Sequence, residues 1–549
     1  MIRRDHRIRV FIVFVVFVGL FSIVIIRLFL LQVSQKRYFS QLAQQQHNIT
    51  VIVNPERAPI YDRTKKTLIA FNRDEISAFI LPHQFLQEEK LKNFLKTKYS
   101  EVYKRIDEFP ERQFLWLDRR LTPEQQKDLN NYNLEDIQFV NESHRFYPYK
   151  TMAHVLGFTN IDNIGISGLE LEFNNKLMGK KSLLKLQKDA RVRTLYFDKK
   201  VELSGHKGTQ IVLTLDSKLQ FLAAQELEKT VELNHAKGGS VVIINPDNGE
   251  ILAMVVYPFF DPNQKSITNL EITKNTIITE CFELGSVMKT FCALAALDEG
   301  VVKYDELIDC EGKVAYVNGF RVENWKTTNI VPFYEAVKKS SNIAMAKISV
   351  RLGEKLYMHL RKIGFGEKTQ INFPGERSGF VNPPKKWSRS SPLVMSFGYE
   401  IMASLIQLTR AFCAIANGGY LITPKLILYP QKSPDKTKKI KLYSDNTLDS
   451  LKNILEKIGE HYGIPGYRVM GKTGTARCVK EGKYSKKSHV YTFAGIIENG
   501  KYKRVIVTFI KEPEKAGLWA SEIAAPLFQK IGERMVMYET RHTTNSKNL

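Results

Sequence analysis

The sequence predicts an α+β protein: a single N-terminal transmembrane helix, a mixed pedestal, and a C-terminal domain with an antiparallel sheet and a helical subdomain. Three observations predict it. Val10 to Ile26 contains no charged residue, and after Arg27 the apolar run resumes as Leu28-Phe29-Leu30-Leu31. Two hairpin patterns stand near the two ends of the C-terminal half. Between them the apolar spacing is mainly helical. A chain of 549 residues exceeds the usual single-domain size, so two or more folded units are expected.

The anchor comes first. Roughly 22 residues at about 1.5 Å rise give about 33 Å, enough to cross the hydrocarbon core, with Arg27 able to snorkel to the far interface. Arg3, Arg4, Arg7 and Arg9 precede the run. The positive-inside rule therefore puts the N-terminus in the cytoplasm and everything after about residue 32 outside, as in a single-pass protein of the inner membrane. The length of the run and the lack of a prompt small-x-small site favour an uncleaved anchor over a signal peptide. Residues 34–50 carry Tyr38, Phe39 and Leu42 at helical spacing and predict a juxtamembrane helix. From Val51 to about residue 204, short apolar runs alternate with charged segments, as in a spacer or interaction module. The division read from the sequence is a cytoplasmic tail (1–9), an anchor (10–32), a pedestal (33–204), a C-terminal domain (205–538) and a disordered tail (539–549). A Lys-rich loop is expected at Gln431–Lys441.

Within the C-terminal domain, Ser240–Ile244, a turn at Asn245–Gly249 and Ile251–Val256 read as a hairpin apolar enough to be covered on both faces. Val490–Ile497, Asn499-Gly500 and Val505–Ile510 read as a second, with Asn-Gly suited to a tight primed turn. A helix from about Trp519 to Val536 follows, with Ile523, Leu527 and Ile531 on one face. The stretch Tyr399–Asn417 reads as helical and stops at Gly418-Gly419.

The net charge of +24 is spread along the chain, which together with an outside location argues against nucleic acid and leaves two equal readings, a surface facing anionic lipid or cell-wall polymer and a merely solvated basic surface. The five cysteines (Cys281, Cys292, Cys310, Cys413 and Cys478) form no Cys-x-x-Cys pair and signal neither zinc nor a disulfide framework. Cys292 and Cys413 read as buried apolar side chains.

The chemistry lies in an ordered triplet: Ser286-Val-Met-Lys289, Ser340-Ser-Asn342, then the only Lys-Thr-Gly in the chain, Lys472-Thr473-Gly474, followed by Thr475. Singly the first two are common. Ser-x-x-Lys recurs at Ser182, Ser204 and Ser433, and Ser-x-Asn at Ser444 and Ser546, where a capping serine suffices as explanation. Only the Ser286 copy follows Leu284-Gly285 and enters a long apolar helical run, Phe291–Leu297. A serine at a helix start lies beside unpaired backbone N–H groups, and a lysine three residues on returns to the same face. Lys289 can act as base if burial or nearby positive charge keeps it neutral. Ser340 can relay a proton, and Asn342 can hold a peptide. Lys472 and Thr473 suit a substrate carboxylate, and Gly474 lets the backbone approach closely. The N–H groups of Ser286 and Thr475 are candidates for an oxyanion hole. This assembly calls for no metal or cofactor.

With these motifs the chain resembles a class B penicillin-binding protein. The resemblance extends through Arg57-Ala-Pro-Ile-Tyr-Asp62-Arg63, Leu68-Ile-Ala70, Arg145-Phe-Tyr-Pro148, His154-Val-Leu-Gly157, Gly165-Ile-Ser-Gly168-Leu-Glu170, Gly398-Tyr399, Gln407, Ala416–Gly419 and Ala524–Phe528. Ala58 and Leu284 depart from the family's usual Gly and Pro. The resemblance implies a penicillin-binding, serine β-lactamase-like fold on a dimerisation-type pedestal. It also implies a D,D-transpeptidase that crosslinks peptidoglycan stem peptides through an acyl-Ser286 formed on D-alanyl-D-alanine, and that β-lactams stall. The implied partners are peptidoglycan, the membrane, a polytopic membrane glycosyltransferase and division-complex proteins, with Asp62 and Arg63 expected at such a contact. The short pedestal looks more like the septal, division-specific member than the elongation one. A β-lactamase or penicillin sensor, a carboxypeptidase and an idle scaffold are the weaker readings.

Overall fold

The computed structural model describes residues 2–39, 48–53, 56–82, 85–109, 112, 114–180, 182–188, 195–203, 206–430, 440–480, 483–515 and 517–545. They fall into two compact units, one comprising 1–56 and 179–208 and the other 57–178 and 209–549. The boundary read at 204/205 does not coincide with this division.

The first unit begins with helix α1 (Ile2–Phe29), which continues through one wider turn, Leu30–Ser34. The stretch His6–Ser34 is long and apolar enough to cross a membrane, and none of its apolar surface is buried by protein. The unit also holds a three-stranded antiparallel sheet in the order Asn48–Val53, Ser182–Lys188, Leu195–Leu203. Residues 48–50 therefore belong to a strand and not to the expected juxtamembrane helix: Ile49-Thr50-Val51-Ile52-Val53 is β-branched throughout and pairs with Ser182–Leu186. Residues 40–47, also expected in that helix, lie outside the described residues, as do 431–439 of the Lys-rich loop and 546–549 of the tail.

The second unit joins pedestal and catalytic residues through one mixed sheet. Its pedestal strand Ile60–Tyr61 pairs in parallel with Ile211–Leu213 and antiparallel with Leu68–Ile80, which in turn pairs with Leu115–Leu121 and Gln138–Phe146. Three pedestal motifs meet in its interior. Glu170 accepts from Arg57 Nε at 2.5 Å and from Arg145 Nε at 2.7 Å, all three fully buried. The remaining guanidinium donors of Arg57 reach the Asn163 and Glu170 carbonyls and Asn174 Oδ1, and Arg145 reaches the Ala58 carbonyl. Asp62 is likewise internal at 1% exposure. It accepts from Thr64 and from Ser217 Oγ, while Arg63 bonds Glu250. The expected partner contact at Asp62 is corrected by this geometry, since its carboxylate is consumed in joining pedestal to catalytic domain.

The catalytic sheet comprises β1 (Gly238–Ile244), β2 (Ile251–Tyr257), β3 (Arg468–Lys480), β4 (Lys483–Asn499) and β5 (Tyr502–Lys511), in the order β2-β1-β5-β4-β3. Both expected hairpins are present, and both faces are covered. Val241, Ile243, Ile506 and Ile510 pack with α2 (Ser217–Leu233) and α7 (Ala524–Asn545), while Val242, Ile244, Val505 and Val507 pack with α3 (Lys289–Asp298) and α5 (Leu405–Ala416). Helix α5 starts later than the stretch read from the sequence because Ser404 and Gln407 form a capping box. Helix α7 starts later too. It extends through residues 539–545, read as tail, because Glu539 is bonded by Tyr502 and Arg504. Cys292 and Cys413 are buried as expected.

The helical subdomain adds α4 (Asn342–Leu352) and α6 (Asp445–Gly459), and also a long hairpin, Leu307–Val317 with Phe320–Pro332, that the helical reading of this region missed. Its turn is Asn318-Gly319, with positive φ at both residues, as a type I′ turn requires.

Candidate active site

Ser286 lies on a 3₁₀ turn, Gly285–Met288, that leads into α3. Edge strand β3 runs tightly against this turn. A Cβ on Gly474 would sit 2.6 Å from Val287 Cγ2, and one on Gly285 would sit 2.4 Å from the Thr475 carbonyl oxygen, so glycine at both positions is what permits the approach. Within a strand, one residue's N–H and C=O point to the same edge. The Thr475 N–H is therefore aimed at the Ser286 side. The Ser-x-x-Lys copy at Ser182–Lys185 is on a strand, and Ser444 caps α6 as a plain helix start. Ser204, Ser433 and Ser546 lie outside the described residues.

Ser340 enters from the helical side with a backbone φ of 56°, a left-handed conformation that non-glycine residues adopt at a cost of order 1 kcal/mol. Helix α4 is capped by the next residue: Ser341 Oγ accepts from Ala344 N at 3.1 Å and donates to Asn324 Oδ1 at 3.0 Å. The capping role leaves the Ser340 hydroxyl for the cleft. Asn342 Nδ2 donates to the Glu323 carbonyl at 2.7 Å.

Two buried lysines converge on Ser340. Lys289 Nζ donates to its carbonyl at 2.5 Å and to its Oγ at 3.0 Å, and Lys472 Nζ donates to the same Oγ at 3.3 Å and to the Thr473 carbonyl at 3.1 Å. Each is 1% exposed. Among the described residues neither has a carboxylate partner. Burial, and then the charge of Lys472, holds Lys289 well below the usual lysine range; burial brings Lys472 down to about 7. Beneath them burial pushes the Cys292 thiol up to about 12. No hydrogen bond joins Ser286 Oγ to Lys289 among the described residues. The lysine is held by Ser340 on the far side.

Ser286, Lys289, Ser340, Asn342, Thr473 and Thr475 all line one cleft of ≈ 630 Å³. Lys472 lies just beneath its surface. The cleft is completed by residues the sequence reading did not single out. Trp325, on the missed hairpin, and Trp519, after β5, approach across it with ring centroids 5.5 Å apart. Tyr399, Arg477 and His489 line it as well. Arg477 was within reach of strand periodicity, being the next residue on the face of Thr473 and Thr475; the two tryptophans carry no such pattern.

Comparisons with known proteins show the family of the chain. The family described as "Penicillin binding protein transpeptidase domain" matches residues 239–533 and "Penicillin-binding Protein dimerisation domain" matches residues 52–213. "Probable peptidoglycan D,D-transpeptidase PenA" of Neisseria gonorrhoeae is 32% identical over 430 residues, covering 76% of this chain and 72% of that protein. "Stage V sporulation protein D" of Bacillus subtilis is 30% identical over 94% of this chain and 84% of its own length. "Peptidoglycan D,D-transpeptidase FtsI" of Escherichia coli is 29% identical over 80% and 75%. The crystal structure of apo penicillin binding protein 3 from Mycobacterium tuberculosis shares the fold at a TM-score of 0.68 and 24% identity, covering 89% of this chain and 97% of that one.

Proposed function

The chain belongs to the class B penicillin-binding proteins, peptidoglycan D,D-transpeptidases and targets of β-lactams, and from that premise we propose that Ser286 is its nucleophile and Lys289 its general base. The observation that carries this assignment is the buried Lys289, without a counter-ion among the described residues, one turn from Ser286 and bonded to Ser340. Ser286 Oγ attacks the penultimate D-alanine carbonyl and its proton passes to Lys289. The oxyanion is held by the N–H groups of Ser286 and Thr475. The C–N bond breaks, and the leaving D-alanine amine takes the proton, Ser340 serving as relay. An amine of a neighbouring stem peptide then attacks the ester, forming the crosslink and returning a proton to Ser286. Lys472, Thr473 and the Gly474 backbone take the terminal carboxylate of the donor. A bound carboxylate keeps Lys472 protonated although its own pKa is near 7. Asn342 holds the peptide backbone.

The helix His6–Ser34, together with the likeness to FtsI, supports a single-pass membrane protein. The arginines before it support an orientation with the N-terminus in the cytoplasm and the catalytic domain outside. A septal role, with a polytopic membrane glycosyltransferase and division-complex proteins contacted through anchor and pedestal, is supported by the likeness to FtsI.

Covalent labelling with a fluorescent penicillin, followed over hours by intact mass, tests the reaction. A persistent adduct on the wild type and none on Ser286→Ala is expected. An adduct that hydrolyses quickly would point to a β-lactamase, and no adduct at all to an idle scaffold.

A further inference from the structure

The cleft is more cationic than the reaction requires. Lys338, Lys339 and Arg477 line it with His461 and His489 against one carboxylate, Glu522, which accepts the Trp519 backbone N–H at 2.7 Å; Lys339 also lies 3.6 Å from Glu335, and burial, then the charge of Arg477, holds His489 below the usual histidine range. Side chains two residues apart share a strand face, and Thr473, Thr475 and Arg477 all line the cleft from β3. The register sets Arg477 directly opposite His489 on β4. Arg477 is exposed, and among the described residues its guanidinium has no ion-pair partner. A charged, forked donor aimed into a substrate cleft without an internal acceptor is built for an anion.

The direction of the donor peptide says which anion. On the reading above, the departing D-alanine and its carboxylate lie at Lys472 and Thr473, and the scissile carbonyl lies at Ser286 and Thr475. The part of the donor that precedes the scissile bond then continues along β3 toward Arg477, about 7 Å beyond Thr475 at roughly 3.4 Å per residue. That distance falls within the span of the side chain one residue before the two D-alanines. A side chain ending in an ammonium alone would meet Arg477 and Lys338 as like charges.

Resting on that reading, we propose that Arg477, with His489 beside it, is a specificity-determining pair that binds a carboxylate on the donor residue immediately preceding D-alanyl-D-alanine. The substrate class is a stem peptide whose diamino acid keeps a free carboxylate on the carbon that bears its side-chain amine.

The test uses the full chain in detergent and two penicillins that differ in one group. One carries an α-aminoadipyl side chain, which ends in an amine and a carboxylate on the same carbon; the other is its carboxamide. Wild type should be acylated about tenfold or more faster by the carboxylate form. Arg477→Gln should bring the ratio near one, and Arg477→Lys should retain part of it. His489→Gln supplies a second variant with a reduced ratio. Because each ratio is taken on one preparation, partial misfolding cancels. A wild-type ratio near one, or an unchanged ratio in Arg477→Gln, overturns the proposal while leaving the transpeptidase reading intact. Absence of any adduct on wild-type Ser286 sinks the transpeptidase reading itself, and this inference with it.

Discussion

The chain buries two pairs of cations, and it treats them in opposite ways. In the pedestal, Arg57 and Arg145 share the carboxylate of Glu170; the other donors of Arg57 and Nη1 of Arg145 reach carbonyls and the Asn174 amide, while Arg145 Nη2 is left without a partner among the described residues. In the cleft, Lys289 and Lys472 share a neutral hydroxyl and two carbonyls, with no carboxylate partner among the described residues. The difference follows from the side chains. A guanidinium keeps its proton at any working pH, so burying it requires an anion. An ammonium can discharge, so burying it without an anion converts a salt-bridge residue into a base. The pedestal cluster holds parts of the fold together; the cleft cluster stores reactivity at the expense of stability.

The largest effect should come from removing the base. Lys289→Met is expected to lower the rate of Ser286 acylation by roughly 10²–10⁴-fold, measured with a fluorescent penicillin, while the folded protein persists. Normal acylation in that variant would mean that another group takes the proton, and the contrast between the two clusters would lose its functional half. Breaking the other cluster should act on folding instead. Glu170→Gln leaves two buried guanidinium groups uncompensated and should destabilise the chain by about 3–5 kcal/mol. The thermal midpoint should fall, and the penicillin adduct should still form at low temperature.

Lys472 sharpens the comparison because stability and function should move in opposite directions on its removal. Its pKa in the folded chain is about 7 against an ordinary 10.5. Between those values the unfolded chain binds more protons, so the stability cost of burying Lys472 is full below pH 7 and declines as pH rises toward 10.5. Lys472→Met should therefore raise the melting temperature most below pH 7, and the gain should shrink above it. The same variant should slow acylation by carboxylate-bearing β-lactams and remove the falling limb that is expected above about pH 7 when the wild-type Lys472 loses its proton before the ligand binds. A melting temperature lowered by Lys472→Met at acidic pH would count against a buried cation without a partner.

How much of this could be read from the sequence depended on range. Local patterns carried the two hairpins and the apolar helix that follows Ser286, because strand alternation and helix spacing are properties of neighbouring residues. The Glu170 cluster joins residues 113 positions apart and shows only as separate motifs. Asp62 looked like a surface contact because nothing local reveals that Ser217, 155 residues later, supplies its hydrogen bond. The Trp325 hairpin was missed although Asn318-Gly319 marks its turn, because its strands alternate with charged residues inside a segment dominated by helices.

The smallest effect separates the two serines of the middle motif. Ser340 and Ser341 carry the same hydroxyl, and either is chemically able to cap a helix. The structure gives the cap to Ser341, whose Oγ accepts from Ala344 N, and sets Ser340 at a φ of 56° facing the lysines. Ser341→Ala should cost about 1 kcal/mol of stability through the lost cap, with a further loss because Asn324 Oδ1 gives up the Ser341 donor. Ser340→Ala removes no cap, so its stability should stay near wild type while acylation slows. Equal melting-temperature losses in the two variants would show that the strained turn at Ser340 is held by its own hydroxyl, and the division of labour between cap and relay would not stand. Unequal losses in the stated order would tie the left-handed turn at Ser340 to the placement of a proton relay between two lysines, and would leave the start of the helix to its neighbour.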